Sequence, residues 1–169
     1  MPILNRMFPE IHIHEMNGCF RYIMLIFLSI TCLSCTKPVY YEKYQTIDNH
    51  WNKEKEYFFS YEIEDTLCAF DLSLEIRNNN LYPYQNLWLF CAEEQPGGIM
   101  LRDTIECMLA DDFGKWVGSG ISIYHLNVPL RTGYTFPQTG TFTLHIRQGM
   151  RDDRLIGIQQ IGVRIEKNL

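Results

Sequence analysis

The side chains that could do chemistry are few and widely spaced. Histidines stand at positions 12, 14, 50, 125 and 145. A zinc site needs His or Cys ligands a few residues apart, usually in two such pairs. His50, His125 and His145 have no partner at that spacing. His12 and His14 flank Ile13, but they fall in an N-terminal segment that reads as removed or never translated. His145 sits between Thr143 and Arg147 on the outward side of an alternating pattern, where a solvated imidazole is the ordinary state. Asp111-Asp112 with Gly114 has a faint likeness to a calcium loop, yet lacks the alternating oxygen ligands and closing Glu of an EF-hand. Glu93-Glu94 and Asp152-Asp153 read as solvated acids at turns. No GxSxG elbow, P-loop or GxGxxG run occurs. The expectation is therefore no metal, no cofactor and no catalytic constellation.

Surface aromatics offer a different chemistry, that of contact with a sugar or a protein. Trp88 alternates against Leu87 and Leu89, and Phe90 shares its face, so that stretch is apolar on both sides. Trp116 lies in the glycine-rich stretch Ala110–Gly120, and loops on a rigid scaffold often carry recognition. Its other reading is a plug over the end of the fold. Tyr124 follows close behind.

The cysteines point to the N-terminal segment. Tyr22–Ser34, YIMLIFLSITCLS, is free of charge and follows Arg21. It is too short for a bilayer core about 30 Å thick but has the length of a signal-peptide h-region, about 7–15 residues. Ser34 and Leu33 precede Cys35, which resembles the lipobox of bacterial lipoproteins, although Cys32 occupies the minus-three position where an aliphatic residue is usual. On this reading residues 1–34 are a signal peptide and Cys35 is lipidated. Glu10 and Glu15 suit a basic n-region badly, which places the true start at Met16. Cys68, Cys91 and Cys107 remain, an odd number and no disulfide framework. Cys91 and Cys107 share parity with core positions of one hairpin and are read as buried thiols, with a cross-strand disulfide as the alternative.

These features need elements to hold them. About 134 residues follow Cys35, enough for one domain with a core. From Cys35 onward 13 Lys and Arg face 18 Asp and Glu, a net charge of minus five with interspersed signs, so the basic footprint of a nucleic-acid binder is missing. Tyr57, Phe59, Tyr61 and Ile63 alternate with polar residues, Phe58 being the exception. Phe70, Leu72, Leu74 and Ile76 alternate without exception, as do Phe142, Leu144 and Ile146. Period-2 patterning of this kind marks half-buried antiparallel strands. Asn78-Asn79-Asn80 reads as a chain break, and Gln95-Pro96-Gly97-Gly98 as a hairpin connection. Ile121–Leu126 is expected to be a strand ended by Val128-Pro129. Met150–Gln160 reads as a turn with a short helix, and Ile161, Val163 and Ile165 as the last strand. The predicted architecture is an all-β, single antiparallel sandwich, Ig-like or jelly-roll-like, of seven or eight strands. Residues 35–52 are assigned to an anchor and lead-in with a first strand, and 53–169 to the sandwich.

The run Tyr40–Trp51, IRNNNLYPYQNLWL (Ile76–Leu89), DTIECMLADDFGKWVGSGISIY (Asp103–Tyr124) and GTFTLHIRQGMRDDRLIGIQQIGVRIEK (Gly140–Lys167) resemble, in order and at similar spacing, the GldH gliding-motility lipoprotein family of Bacteroidetes. The resemblance implies a lipid-anchored, non-enzymatic envelope protein, attached through Cys35. It also implies partners in the gliding machinery or the type IX secretion machinery tied to it. Thr36-Lys37-Pro38 carries no Asp beside the cysteine and no acidic surface-export run, and the expected place is the periplasmic face of the outer membrane. The family's Q-x-M-R element falls on Gln148, Met150 and Arg151. With Trp88, Trp116 and Tyr124, Gln148 and Arg151 make up the candidate interaction surface. A carbohydrate- or peptidoglycan-binding sandwich is the alternative function, with glycan as its ligand.

Overall fold

The computed structural model describes residues 37–168. The strands, in chain order, are β1 (Val39–Thr46), β2 (Trp51–Asn52), β3 (Glu56–Ile63), β4 (Phe70–Asn79), β5 (Asn86–Glu94), β6 (Met100–Met108), β7 (Ser119–Gly120), β8 (Ile123–Tyr134), β9 (Gly140–Gln148), β10 (Arg154–Leu155) and β11 (Ile158–Lys167). They form a five-stranded sheet β1-β11-β4-β8-β7, a four-stranded sheet β3-β9-β5-β6 and a small β10-β2 clip. All pairings are antiparallel.

The pairings β1 with β11, β3 with β9, β4 with β8 and β5 with β6 nest inside one another along the chain. The polypeptide is in effect one long hairpin, closed at the β5–β6 turn and rolled across both sheets. That is the winding of a jelly roll, and it decides between the two forms of sandwich expected.

Alternation fixes which face of each strand goes inward. β3 alternates exposed and buried residues along its whole length, and Leu87, Leu89 and Cys91 of β5 turn inward while Trp88 and Phe90 turn out. The core is aromatic. Phe136 packs edge-on against Phe142 at 4.9 Å and Phe70 at 5.5 Å, and Tyr61 stacks on Phe142 at 6.0 Å. Burying each such ring is worth about 1.5–3 kcal/mol over leaving it in water.

Several local expectations give way. The first strand expected in the lead-in is present as β1, but it belongs to the sandwich itself, in register with β11 in the larger sheet. β4 continues through Asn78 to Asn79, because Asn78 is held in the ladder opposite Ile158 and Tyr124. Pro129 does not end β8. It sits opposite Ser73 of β4 beside a register shift, and β7 pairs with the other side of β8 only at Tyr124 and His125; a bulge beyond the reach of the neighbouring strand is a position that a residue without an N–H tolerates. Residues 150–160 hold no helix but a turn, β10 and the start of β11. Cys91 and Cys107 are buried free thiols, as first expected, and it is the alternative disulfide that fails. Cys91 lies opposite Asp103 and Cys107 opposite Leu87, four positions out of register at about 3.3 Å each, so no disulfide joins them. Burial pushes both thiols up to about 12, which keeps them protonated and inert.

The chain enters the sandwich at Lys37, whose ammonium pairs with Asp71 at the start of β4. Asp71 also accepts from the Gly133 N–H at 2.7 Å and from Asn168 at 3.0 Å. One carboxylate thus ties both ends of the described chain to β4 and β8. The Lys37 hydrogen bond, then those from Gly133 and Asn168, hold its pKa down at about 2, against about 3.9 for an unfolded Asp. A depressed carboxylate contributes stability that is complete above the unfolded value and is lost as pH falls through the folded one. The melting temperature should therefore drop more steeply between pH 4 and 2 in the parent than in Asp71→Asn, as followed by circular dichroism.

Candidate interaction surface

The two outer faces of the sandwich differ in kind. On the larger sheet, Glu75 has outward parity yet is 1% exposed. His125 bonds it at 2.5 Å, Asn127 donates to it at 2.6 Å, and Ser73 at 3.2 Å. Tyr44 covers the same region, with Arg77 over its ring at 4.5 Å and His125 edge-on at 6.5 Å. This face is a closed polar network whose groups satisfy one another.

The smaller sheet presents apolar groups. Phe58, Trp88, Phe90, Met100 and Met108 are exposed on it. A shallow groove of about 790 Å³ runs across β9, β5 and β6, lined by His145, Arg147, Phe90, Arg102, Thr104 and Glu56 among others. Arg147 lies over the Phe90 ring at 5.7 Å, and the Phe58 ring meets His145 edge-on at 4.8 Å. His145 is thus partly covered by an aromatic ring and two carboxylates, Glu94 at 3.6 Å and Glu56 at 4.0 Å, rather than simply solvated.

At the end of the strands away from Asp71, an aromatic belt closes the sandwich. Tyr124 lies against Trp116 at 5.7 Å, Trp116 against Tyr82 at 6.4 Å, and Tyr82 against Tyr84 at 5.9 Å. Trp116 is half-buried, and its indole N–H donates to Asn80 at 2.9 Å, so it is a plug with one edge left in solvent. The loop that carries it is organised by Asp111, whose carboxylate accepts from the N–H groups of Phe113 at 3.0 Å and Lys115 at 2.9 Å. That oxygen serves the loop's own backbone. Among the described residues no three acid, His or Cys side chains cluster as metal ligands would.

The belt continues into the Q-x-M-R element. Tyr84 donates to Asp152 at 2.7 Å; the Asp152 carbonyl accepts from the Gln148 amide at 2.8 Å; and Gln148 Oε1 accepts from the Met150 N–H at 2.8 Å. The Gly149 N–H then donates to the Trp88 carbonyl at 2.7 Å, and the Trp88 N–H points at Met150 Sδ at 3.3 Å. Gln148 is therefore not a surface residue. It is fully buried, because β9 carries it inward in phase with Phe142, Leu144 and Ile146, and its amide staples the turn. Arg151 is exposed, and its carbonyl accepts from Lys53 at 3.2 Å.

The fold thus brings Trp88, Trp116, Tyr124, Gln148 and Arg151 into one connected region. Tyr82 and Tyr84 join its halves. Sequence reasoning passed over both, although the Tyr-Pro-Tyr run of residues 82–84, with its fixed proline φ, was the available signal. Cys35 lies outside the described residues.

Glu93 also differs from its expected place. It continues the inward parity of Leu87, Leu89 and Cys91 and is buried, where Arg131 from the opposite sheet holds both of its oxygens at 3.1 Å. Glu94 alone faces solvent.

An antiparallel jelly roll with aromatic and guanidinium groups on one face and one end, opposite a polar face, places the protein among the β-sandwiches. The family model described as GldH lipoprotein matches residues 39–165, and the chain belongs to that family. It is 31% identical over 161 residues, 90% of this chain and 99% of the relative, to a gliding motility lipoprotein GldH homolog of Christiangramia forsetii. It is 29% identical over 152 residues, 85% of this chain and 94% of the relative, to the gliding motility lipoprotein GldH of Flavobacterium johnsoniae. Among solved structures, the VP2 subviral particle of infectious bursal disease virus aligns with a TM-score of 0.32 at 14% identity, over 76% of this chain and 33% of that one.

Proposed function

We propose that this protein is a non-enzymatic, lipid-anchored accessory component of the cell envelope that serves gliding motility or the secretion machinery tied to it. Acyl chains on Cys35 hold it at the periplasmic face of the outer membrane, and the surface around Trp88, Trp116 and Arg151 meets a machinery protein. The observation that carries this reading is the match to relatives named gliding motility lipoproteins over 85–90% of the chain.

The geometry suits an anchored part. Lys37, clamped by Asp71, follows Cys35 by two residues, which span about 7 Å when extended. Diacyl or triacyl modification supplies more than one chain, as stable attachment requires. The aromatic belt sits at the far end of β4, ten residues from Phe70 to Asn79, or about 30 Å along the strand.

Cys35→Ala in the full chain, expressed in place of the parent in the native bacterium, should move the protein from the membrane to the soluble periplasmic fraction. It should also fail to restore colony spreading or secretion to a deletion strain. A variant that still sediments with membranes overturns the anchor; a deletion strain that spreads and secretes normally overturns the role in that machinery.

A further inference from the structure

The sandwich manages its sheet edges unequally. An exposed strand edge offers unpaired N–H and C=O groups to any other extended chain, and folds usually blunt it with proline, lysine, bulges or cover. The seam between β1 and β3 is closed by side chains: Tyr40 donates to the Glu62 carbonyl at 2.8 Å and Gln45 to the Phe58 carbonyl at 2.6 Å. The β8 edge carries Pro129 and two register shifts. β6 lacks all four of these, and its one guard is a charge of inward parity, Asp103, opposite Cys91. It runs nine residues in unbroken register with β5, contains no proline and no lysine, and among the described residues nothing pairs with its outer side.

The hydrogen-bond phase of this edge follows from its two ends. The Gln95 N–H donates to the Ile99 carbonyl, and the Leu109 N–H to the Gln85 carbonyl. Antiparallel pairs alternate between bonded and non-bonded, so the odd residues of β6 bond to β5. The even residues, Met100, Arg102, Thr104, Glu106 and Met108, turn their backbone groups outward. One of these groups is already occupied, since the Thr104 N–H donates to the Asp103 carboxylate at 2.7 Å. That guard is a side chain on the same strand and can swing away.

The strand MLRDTIECM is complementary to itself. Paired antiparallel about Thr104, Arg102 faces Glu106 of a second copy and Glu106 faces its Arg102. Met100 meets Met108, Leu101 meets Cys107, and Thr104 meets Thr104; the one unlike pair is Asp103 with Ile105, and Glu106, which accepts from Asn86 at 2.5 Å within the chain, shares its carboxylate with the second copy's Arg102. Moving the centre to 102 or 106 sets like charges opposite one another, and centring on 103 or 105 leaves Arg102 and Glu106 unpaired with each other. Charge therefore singles out one register. Leu101, 42% exposed on the uncovered inner side, gains a neighbour in that register.

We propose that two copies of this protein associate through β6, antiparallel about Thr104, joining their four-stranded sheets into one continuous sheet. The two-fold axis is then perpendicular to the sheet, so both Lys37 ends lie on the same side of the joined sheets, toward opposite ends. If Cys35 is the anchor proposed above, both anchors reach one membrane when the sheets lie along it. The exposed aromatics Trp88 and Phe90 of both copies then face away from the bilayer. The association itself does not rest on the anchor.

The test is Thr104→Cys in the full chain, oxidised in the native envelope and resolved on a non-reducing gel beside the parent. Bonded antiparallel partners have Cα atoms about 5.5 Å apart, within disulfide reach, so a dimer band is expected. Adding Arg102→Glu or Glu106→Arg should reduce that band about tenfold, and adding both should restore it. These positions are exposed, and the parent's fluorescence spectrum should be unchanged in all of them. Absence of the band, a band indifferent to the single reversals, failure of the double reversal to restore it, or capture of a different protein by the introduced thiol would each overturn pairing with a second copy.

Discussion

Arg131→Ala should destabilise the domain by about 3–5 kcal/mol, a large part of the roughly 5–15 kcal/mol that holds a domain folded. Glu93 points into the core and is 3% exposed. Its carboxylate is held by Arg131 at 3.1 Å, by the Tyr61 hydroxyl at 3.1 Å and by Gln95 at 3.2 Å. Burial, then the neighbouring Glu93 charge, pushes the Tyr61 hydroxyl well above its ordinary range, so it remains a donor at all physiological pH. Removing the guanidinium leaves a carboxylate in the interior without its counter-charge, and that desolvation cost dominates the loss. The pair Glu93→Gln with Arg131→Met keeps an acceptor for Tyr61, removes both charges and preserves volume, so it should recover most of the stability. Urea denaturation followed by tryptophan fluorescence measures both. If the double variant is as unstable as Arg131→Ala, the packing of Arg131 over Tyr134, 4.4 Å from guanidinium to ring, carries the effect instead of its charge.

Gly157→Ala should cost about 2–5 kcal/mol, combining a left-handed backbone with overpacking. Gly157 sits between β10 and β11 at φ 86°. A Cβ built there would overlap the Tyr82 backbone nitrogen and Cα and fall 2.7 Å from its Cβ, and backbone cannot move aside as a side-chain tip can. The Gly157 carbonyl also accepts from the Asn79 N–H at 2.8 Å, so the clash would pry the turn away from the aromatic belt. Gly114→Ala is the control. Its φ is 76° but nothing lies within 4 Å, so it should lose only the backbone share, about 1–2 kcal/mol. Equal losses in the two variants would show that close approach to Tyr82 is not what demands glycine.

The strands of the sandwich were legible because half-burial writes itself into sequence with period two. β3, β4 and β9 carry uninterrupted inward sets, as β11 does from Ile161 onward, and the all-β class follows from them. The errors cluster where a residue's partner is distant. Pro129 stays in β8 because it falls at a bulge against β4, beyond the two residues that β7 pairs, a fact of sheet order. Gln148 reads as polar surface until β9 turns it inward, and its partner, Asp152, lies beyond a turn that sequence took for helix. Glu93 reads as a solvated acid until Arg131, 38 residues later, arrives from the other sheet.

Sequence by itself determined the strand faces, the aromatic core, the burial of Cys91 and Cys107, and the family resemblance, because each depends on local alternation or on ordered spacing. The tertiary structure alone decided that the sandwich is a jelly roll, that Tyr82 and Tyr84 weld the candidate residues into one belt, that Glu93 and Glu75 are buried, and that β6 is the edge left bare. Those outcomes depend on which strands become neighbours. Neighbours are chosen by pairing between residues tens of positions apart, and no local pattern of hydrophobicity records that choice.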